Sequence, residues 1–174
     1  MAAYRQPESI IETDRLQAHL EDTSLRVLDC TVHLLYDHPP PRVPYLMNSG
    51  REDFALGHIP GADFVDLQGE LSSQDSPFSF TLPSAAHFAA AMERHGVGDD
   101  TRDALYSTTH PMWATRVWWM LIAFGFDQAA LLNGGFVKWQ AEQRAVSIAA
   151  PTPRQGARFS PSPVRRSLPT KRRS

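Results

Sequence analysis

The chain has 174 residues, of which 42% are hydrophobic and 21% are charged. This length fits one domain with a buried core and is too short for two full domains. No run of eighteen apolar residues occurs, and the N-terminus lacks the apolar stretch of a secretory signal, so we expect a cytoplasmic protein without a membrane span. The single cysteine, Cys30, excludes an internal disulfide and a multi-cysteine zinc site.

The formal net charge of −2 is divided unevenly along the chain. Seven basic residues and no acidic residue follow position 150, which leaves 10 basic against 19 acidic groups, or −9, in residues 1–150. An acidic body does not suit a nucleic-acid surface, so we expect nucleic acid to bind, if at all, only through the basic tail.

That tail, residues 150–174, holds five prolines and almost nothing to bury. Such a composition is typical of an extended linker or a disordered segment. We therefore predict one folded domain over residues 8–149, followed by a linker or disordered basic tail.

Within residues 8–149 the predicted strands and helices alternate. We predict helices over 14–20, 51–56, 83–94, 113–124 and 136–143, and strands over 26–32, 63–66, 105–106 and 129–132. Ser84 is a natural N-cap, and Gly96 is a natural stop for the helix that begins there. The alternation predicts an α/β fold with a parallel sheet and helices on both faces. In such sheets the chemistry lies at the carboxyl ends of strands, and the polar loop after Tyr106 occupies such a place.

Four motifs, taken together, resemble a rhodanese domain, the fold of thiosulfate and 3-mercaptopyruvate sulfurtransferases. They follow the family order across residues 8–149: Val27-Leu-Asp29, Gly57-His-Ile-Pro-Gly-Ala62 with Asp66, Arg116-Val-Trp-Trp-Met120, and Leu132-Asn-Gly-Gly135 with Trp139. The third motif and Ser76-Pro-Phe78 resemble the N-terminal half of the two-domain enzymes, which in this family is a degenerate copy of the catalytic half.

The resemblance implies which catalytic group should be present. The family transfers sulfur through a cysteine persulfide at the start of a loop between a strand and a helix, where backbone N–H groups stabilise the anionic sulfur. The corresponding position here is about Ser107 or Thr108, and neither is a cysteine. We expect Cys30, at the end of the first predicted strand, to be a buried structural residue. No catalytic residue and no cofactor are therefore expected. No metal is expected either, because no pair of histidines has metal-ligand spacing with a supporting Asp or Glu.

Three hypotheses for the function remain. The first is a non-catalytic N-terminal rhodanese domain that is inactive alone and whose partner is a missing C-terminal catalytic domain. Residues 168–174 do not resemble the start of such a catalytic domain, which indicates a truncated product or a fragment. The complete enzyme would move sulfane sulfur from thiosulfate or 3-mercaptopyruvate to cyanide or a thiol. The second is a binding module that uses its cleft or its basic tail, and the third is a single-domain sulfurtransferase using Cys30.

A few other polar residues have both a structural and a functional interpretation. His58 is expected to hold its turn through a backbone hydrogen bond, although the resemblance places that turn near the catalytic loop of a partner domain. Arg51 and His110 are further candidates for the cleft. Asp103 stands where the family has branched apolar residues; it is either buried in a strand, which would raise its pKa, or placed just before one.

Overall fold

The computed structural model describes residues 7–36, 45–154 and 156–162. Its strands, in chain order, are β1 (Ile10–Ile11), β2 (Leu25–Asp29), β3 (Val32–Leu35), β4 (Leu46–Ser49), β5 (Asp63–Phe64), β6 (Arg102–Tyr106) and β7 (Ala129–Leu132). Five of them form a parallel sheet in the order β1-β7-β6-β2-β5, and β3 pairs with β4 in a separate antiparallel hairpin.

Helices cover both faces of the parallel sheet. They are α1 (Thr13–Ala18), α2 (Arg51–Leu56), α3 (Ala85–Arg94), α4 (Met112–Ala123) and α5 (Gly135–Ala141). One buried cluster joins the sheet to α3 and α4, and a second joins it to α1, α2 and α5. The predicted α/β fold is thereby confirmed. No helix in the described ranges is both long and apolar enough to cross a bilayer.

The cap residues set the ends of α3 as predicted. The Ser84 hydroxyl accepts a hydrogen bond from the backbone N–H of His87 at 3.2 Å. Gly96 has φ +72°, the left-handed conformation that ends a helix and that glycine adopts without strain. The bounds of α3 and α4 lie within two residues of those predicted.

The hairpin of β3 and β4 was not predicted. The predicted strand over 26–32 divides instead, because β2 ends at Asp29 and β3 begins at Val32. Val32 pairs with Ser49, and Leu35 pairs with Leu46. The proline-rich connection between these strands, residues 37–44, lies outside the described residues.

Asp103 lies within β6 and is buried, so the alternative that it precedes the strand is wrong. One carboxylate oxygen accepts a hydrogen bond from the Thr101 hydroxyl at 3.2 Å, and the other has no partner among the described residues. Burial raises the pKa of Asp103 to about 8, against the weaker opposing effects of Thr101 and Arg26. The carboxyl group is therefore largely protonated at neutral pH.

The described residues after position 149 form neither helix nor strand, yet they pack against the domain. Phe159 is buried between the rings of Phe88 and Phe126, with centroid distances of 5.6 and 5.8 Å. Its backbone N–H donates to the Glu93 carboxylate at 2.9 Å. The expectation that the tail buries almost nothing is corrected at Phe159, because one aromatic ring is enough to anchor a short extended segment. The predicted disorder of residues 163–174 lies outside the described residues.

Candidate functional site

The candidate site is the loop of residues 107–111, which connects the central strand β6 to α4. Three backbone N–H groups of this region donate to side chains nearby. Thr108 N–H donates to the Thr31 hydroxyl oxygen at 2.9 Å, and Thr109 N–H donates to the Ser107 hydroxyl oxygen at 3.3 Å. Met112 N–H donates to Nδ1 of His110 at 3.1 Å. These N–H groups are thus satisfied by the protein's own side chains.

Thr31 forms a hydrogen bond with this loop, and Asp29 in turn forms hydrogen bonds with Thr31. The Thr31 hydroxyl donates to Oδ1 of Asp29 at 2.5 Å, and the Thr31 N–H donates to the same oxygen at 2.9 Å. Because the only hydroxyl proton of Thr31 is used in this way, its oxygen is free to accept from Thr108. Burial raises the pKa of Asp29, and the two hydrogen bonds from Thr31 oppose that rise. One carboxylate oxygen of Asp29 therefore accepts both of its hydrogen bonds from Thr31 within the protein.

Cys30 is completely buried in the core between these two residues. Burial raises the pKa of its thiol well above the ordinary range, and the carboxyl groups of Asp29 and Asp103 raise it further. The thiolate is the reactive form of cysteine, and here it is disfavoured at any physiological pH. No exposed sulfur atom is available at this position to attack a sulfur donor.

The turn of Asn133, Gly134 and Gly135 packs against the other side of the loop. Both glycines have positive φ, +77° and +57°, as the predicted tight turn requires. A Cβ atom on Gly135 would lie 2.8 Å from the carbonyl oxygen of Ser107. The second glycine therefore allows the turn to approach the loop closely.

The three predicted cleft residues lie in different environments. His58 is buried, donates a hydrogen bond from Nδ1 to the Phe54 carbonyl oxygen at 2.8 Å, and stacks on the Phe54 ring at 3.9 Å between centroids. Arg51 is exposed, with its guanidinium 4.8 Å from the ring centre of Phe64. His110 is exposed in the loop itself. No hydrogen bond or ion pair within the described residues joins any two of Arg51, His58 and His110.

Sequence reasoning missed a charged cluster around His95. The ring nitrogens of this buried histidine lie 2.7 Å from an Asp63 carboxylate oxygen and 3.1 Å from a Glu70 carboxylate oxygen. Burial alone would lower the pKa of His95, but the hydrogen bonds to both carboxylates outweigh it and raise the pKa to about 9. His95 is 32 positions from Asp63 and 25 positions from Glu70, so no local motif connects it to them.

The tryptophans of α4 have unequal exposure. Trp113 is buried with its ring 5.2 Å from that of Phe80, and Trp118 is half-buried and donates to the Ala129 carbonyl oxygen at 3.1 Å. Trp119 is 45% exposed and lies under the Arg116 guanidinium at 4.8 Å. Trp113 thus belongs to the core, whereas Trp119 leaves a large apolar ring on the surface.

The fold and site define an α/β domain whose loop at the carboxyl end of a central parallel strand leads directly into a helix. The profile of the rhodanese-like domain matches residues 12–142 of the sequence. The chain belongs to the rhodanese family.

Sulfurtransferases are among the relatives that it matches. The chain is 36% identical over 137 residues to thiosulfate sulfurtransferase from Gallus gallus, covering 78% of this chain and 44% of that protein. It is 29% identical over 163 residues to 3-mercaptopyruvate sulfurtransferase from Escherichia coli, covering 88% of this chain and 53% of the relative. The crystal structure of SseA, a 3-mercaptopyruvate sulfurtransferase from Escherichia coli, superposes with a TM-score of 0.72 at 28% identity, covering 89% of this chain and 55% of the other. The chain spans about half the length of these relatives.

Proposed function

We propose that this chain is a non-catalytic rhodanese domain that supports a catalytic partner domain in sulfane-sulfur transfer. The observation that carries the proposal is the composition of the loop after β6, which holds Ser107 and Thr108 where catalysis by the family needs a cysteine. We assign the former nucleophile position to Ser107, because its side chain faces the Thr109 N–H two residues further along the loop. A hydroxyl without an adjacent base cannot replace a thiolate as the carrier of sulfur.

The surroundings of the loop support the same conclusion. A persulfide anion would need N–H groups that are free to donate to it, and the Thr108 N–H is already bound to Thr31. The buried, protonated thiol of Cys30 offers no substitute nucleophile. Neither Cys30 nor the loop of residues 107–111 is thus suited to the family reaction.

The proposed partner is a catalytic rhodanese domain that carries the nucleophilic cysteine. The relatives are about twice the length of this chain, which leaves room for such a domain beside the part that matches. Exposed Trp119 on α4 is a candidate for the surface that it covers. The substrates of the complete enzyme would be a small anionic donor, thiosulfate or 3-mercaptopyruvate, and cyanide or a thiol as acceptor.

Two activity assays test the proposal. The purified chain and its Cys30→Ser variant are assayed for thiocyanate from thiosulfate and cyanide, and for pyruvate from 3-mercaptopyruvate and a thiol. We expect no turnover by either protein, whereas 3-mercaptopyruvate sulfurtransferase from Escherichia coli serves as the active control. Turnover that disappears with Cys30→Ser would show that the chain is a small enzyme and would overturn the proposal.

The uneven charge distribution favours a second candidate, a binding module that uses its basic tail. Residues 163–174 carry five basic groups and no acidic group. The test replaces all five by glutamine: Arg165, Arg166, Lys171, Arg172 and Arg173. Low-salt binding of a fluorescent duplex DNA that is lost in this variant supports the candidate, and equal binding by both proteins excludes it. Substitution is preferable to truncation at 150 because Phe159 belongs to the core.

A further inference from the structure

A cavity of about 350 Å³ lies beside the loop of residues 107–111. Its apolar wall comes from the sheet and from α4, including Leu105, Leu131 and Ala114, and its polar residues belong to the loop, to α4 and to the turn before α5. The volume is at the lower end of the range for small-molecule sites, which is about 300–1,000 Å³. We refer to it as the loop cavity.

The loop cavity has no charged lining residue among the residues that the structure describes. Glu12, which accepts a hydrogen bond from the lining residue Asn133, forms an ion pair with Lys138 at 2.7 Å. Thiosulfate and 3-mercaptopyruvate are anions and need a cation or several free donors. Within the described part of the chain, the loop cavity offers no side-chain cation to the donors after which the relatives are named.

The hydrogen bonds around the loop cavity show which polar groups remain for a ligand. The Thr109 hydroxyl donates to the Val32 carbonyl oxygen at 3.2 Å, and the Thr115 hydroxyl donates to the Pro111 carbonyl oxygen at 2.9 Å. The Asn133 amide donates to the Glu12 carboxylate at 2.6 Å. Because both threonine hydroxyl hydrogens are used within the protein, the two hydroxyl oxygens remain as acceptors, and so does the amide oxygen of Asn133.

We propose that the loop cavity binds an uncharged small molecule with an apolar body and one hydrogen-bond donor, such as an alcohol on an aromatic ring. The apolar wall would bury the body, and a threonine or asparagine oxygen would accept the donor. This site is independent of the proposed function, because it requires neither a thiol nor a partner domain.

Three probes with the same ring test the proposal: benzyl alcohol, benzyl methyl ether, which lacks the donor, and benzoate, which is an anion. Each is titrated into the ¹⁵N-labelled full chain, and amide shifts are followed by NMR. We expect benzyl alcohol to shift amides of the loop and of residues 133–135. The ether and benzoate should bind at least about tenfold more weakly, because the loss of one hydrogen bond of about 1.4 kcal/mol lowers the affinity by that factor. Benzoate binding as tightly as the alcohol, or shifts confined to other regions, would overturn the proposal.

Variants locate the binding site. Ala114→Leu fills the loop cavity from α4, and Val137→Trp covers its rim from an exposed position that tolerates a larger side chain. Ala123→Leu, on the same helix but outside the cavity, is the matched control. We expect the first two changes to abolish the shifts and the control to retain them. If the folded Val137→Trp and Ala114→Leu proteins bind benzyl alcohol as tightly as the wild type, the ligand does not occupy the loop cavity. If Ala114→Leu does not fold, the result for Val137→Trp alone decides whether the ligand binds there.

Discussion

The hydroxyl oxygen of Thr31 lies 2.9 Å from the backbone nitrogen of Thr108 and ties the end of β2 to the loop before α4. The same hydroxyl donates to Asp29, so one side chain links a buried carboxyl group to the loop where the family places its nucleophile. In this protein the Thr108 N–H contributes to folding stability. It is not available to an anion.

Replacing Thr31 by valine is expected to destabilise the fold. The change preserves the shape of the side chain but removes the donor to Asp29 and the acceptor for Thr108. A buried polar group left without its partner costs about 1–3 kcal/mol. Urea unfolding of Thr31→Val should show a loss of this size. Thr115→Val is the control, since that exposed hydroxyl contacts only its own helix start; equal effects of the two changes would show that Thr31 has no special role.

Introducing a cysteine at position 107 is expected to leave the protein inactive. Ser107→Cys in the Cys30→Ser background gives a single thiol at the position that we propose for the family nucleophile. That thiol would be buried, and it would find the Thr108 N–H still bound to Thr31. We expect thiocyanate formation at the rate without enzyme and slow alkylation by iodoacetamide. Clear turnover would mean that the missing sulfur atom was the only defect of the loop.

Local signals in the sequence were sufficient for most of the sheet and for the longer helices. The helix over 113–124 has apolar residues at helical spacing, and the helix that follows Ser84 has a cap and a stop, so both were predicted within two residues. The hairpin was missed because β4, Leu46–Ser49, has no β-branched residue. The strand β1 has only two residues and takes its conformation from its pairing with β7.

The candidate site was predictable only in part. The missing cysteine is visible in the sequence, and so is the polar loop after Tyr106. The bond between Thr31 and Thr108 joins residues 77 positions apart, and no spacing rule connects them. The sequence also left open whether the Asp103 side chain is buried or exposed. The packing of other elements against the strand decides this, and local sequence does not show that packing.

Substitution of His95 is expected to change the dependence of stability on pH. Its folded pKa is about 9 against 6.5 for the unfolded chain, so the stabilisation is complete below pH 6.5 and is lost as the pH rises through 9. A shift of this size corresponds to at most roughly 3 kcal/mol. The stability difference between the wild type and His95→Gln should therefore be largest near pH 6 and smallest above pH 9. His19→Gln, at an exposed position outside this cluster, is the control; a difference that stays constant from pH 6 to 9.5 would contradict the ion pairs.

Asp103→Asn is expected to stabilise the protein at neutral and alkaline pH. The folded pKa of about 8 lies above the ordinary value of 3.8, so the folded state binds the proton more tightly and loses stability as the pH rises from about 4 to 8. Asparagine keeps an acceptor for Thr101 and carries no charge. We expect a gain of about 1–3 kcal/mol at pH 8 and almost none at pH 4, measured by urea unfolding at both values. A loss of stability at pH 8 would mean that the carboxylate has a partner there.

Phe159 is expected to contribute to the stability of the domain although it lies beyond residue 149, where the sequence predicts the fold to end. Its ring fills the space between Phe88 and Phe126, and truncation of a buried phenylalanine to alanine costs about 3–5 kcal/mol. We expect Phe159→Ala to lower the free energy of unfolding by about 3 kcal/mol, because a surface segment relaxes more easily than a core helix. Ile148→Ala, at a position that is 77% exposed, should have almost no effect. If the two variants unfold at the same urea concentration, the segment from 150 to 162 does not hold its place in solution, and the folded domain ends near residue 149.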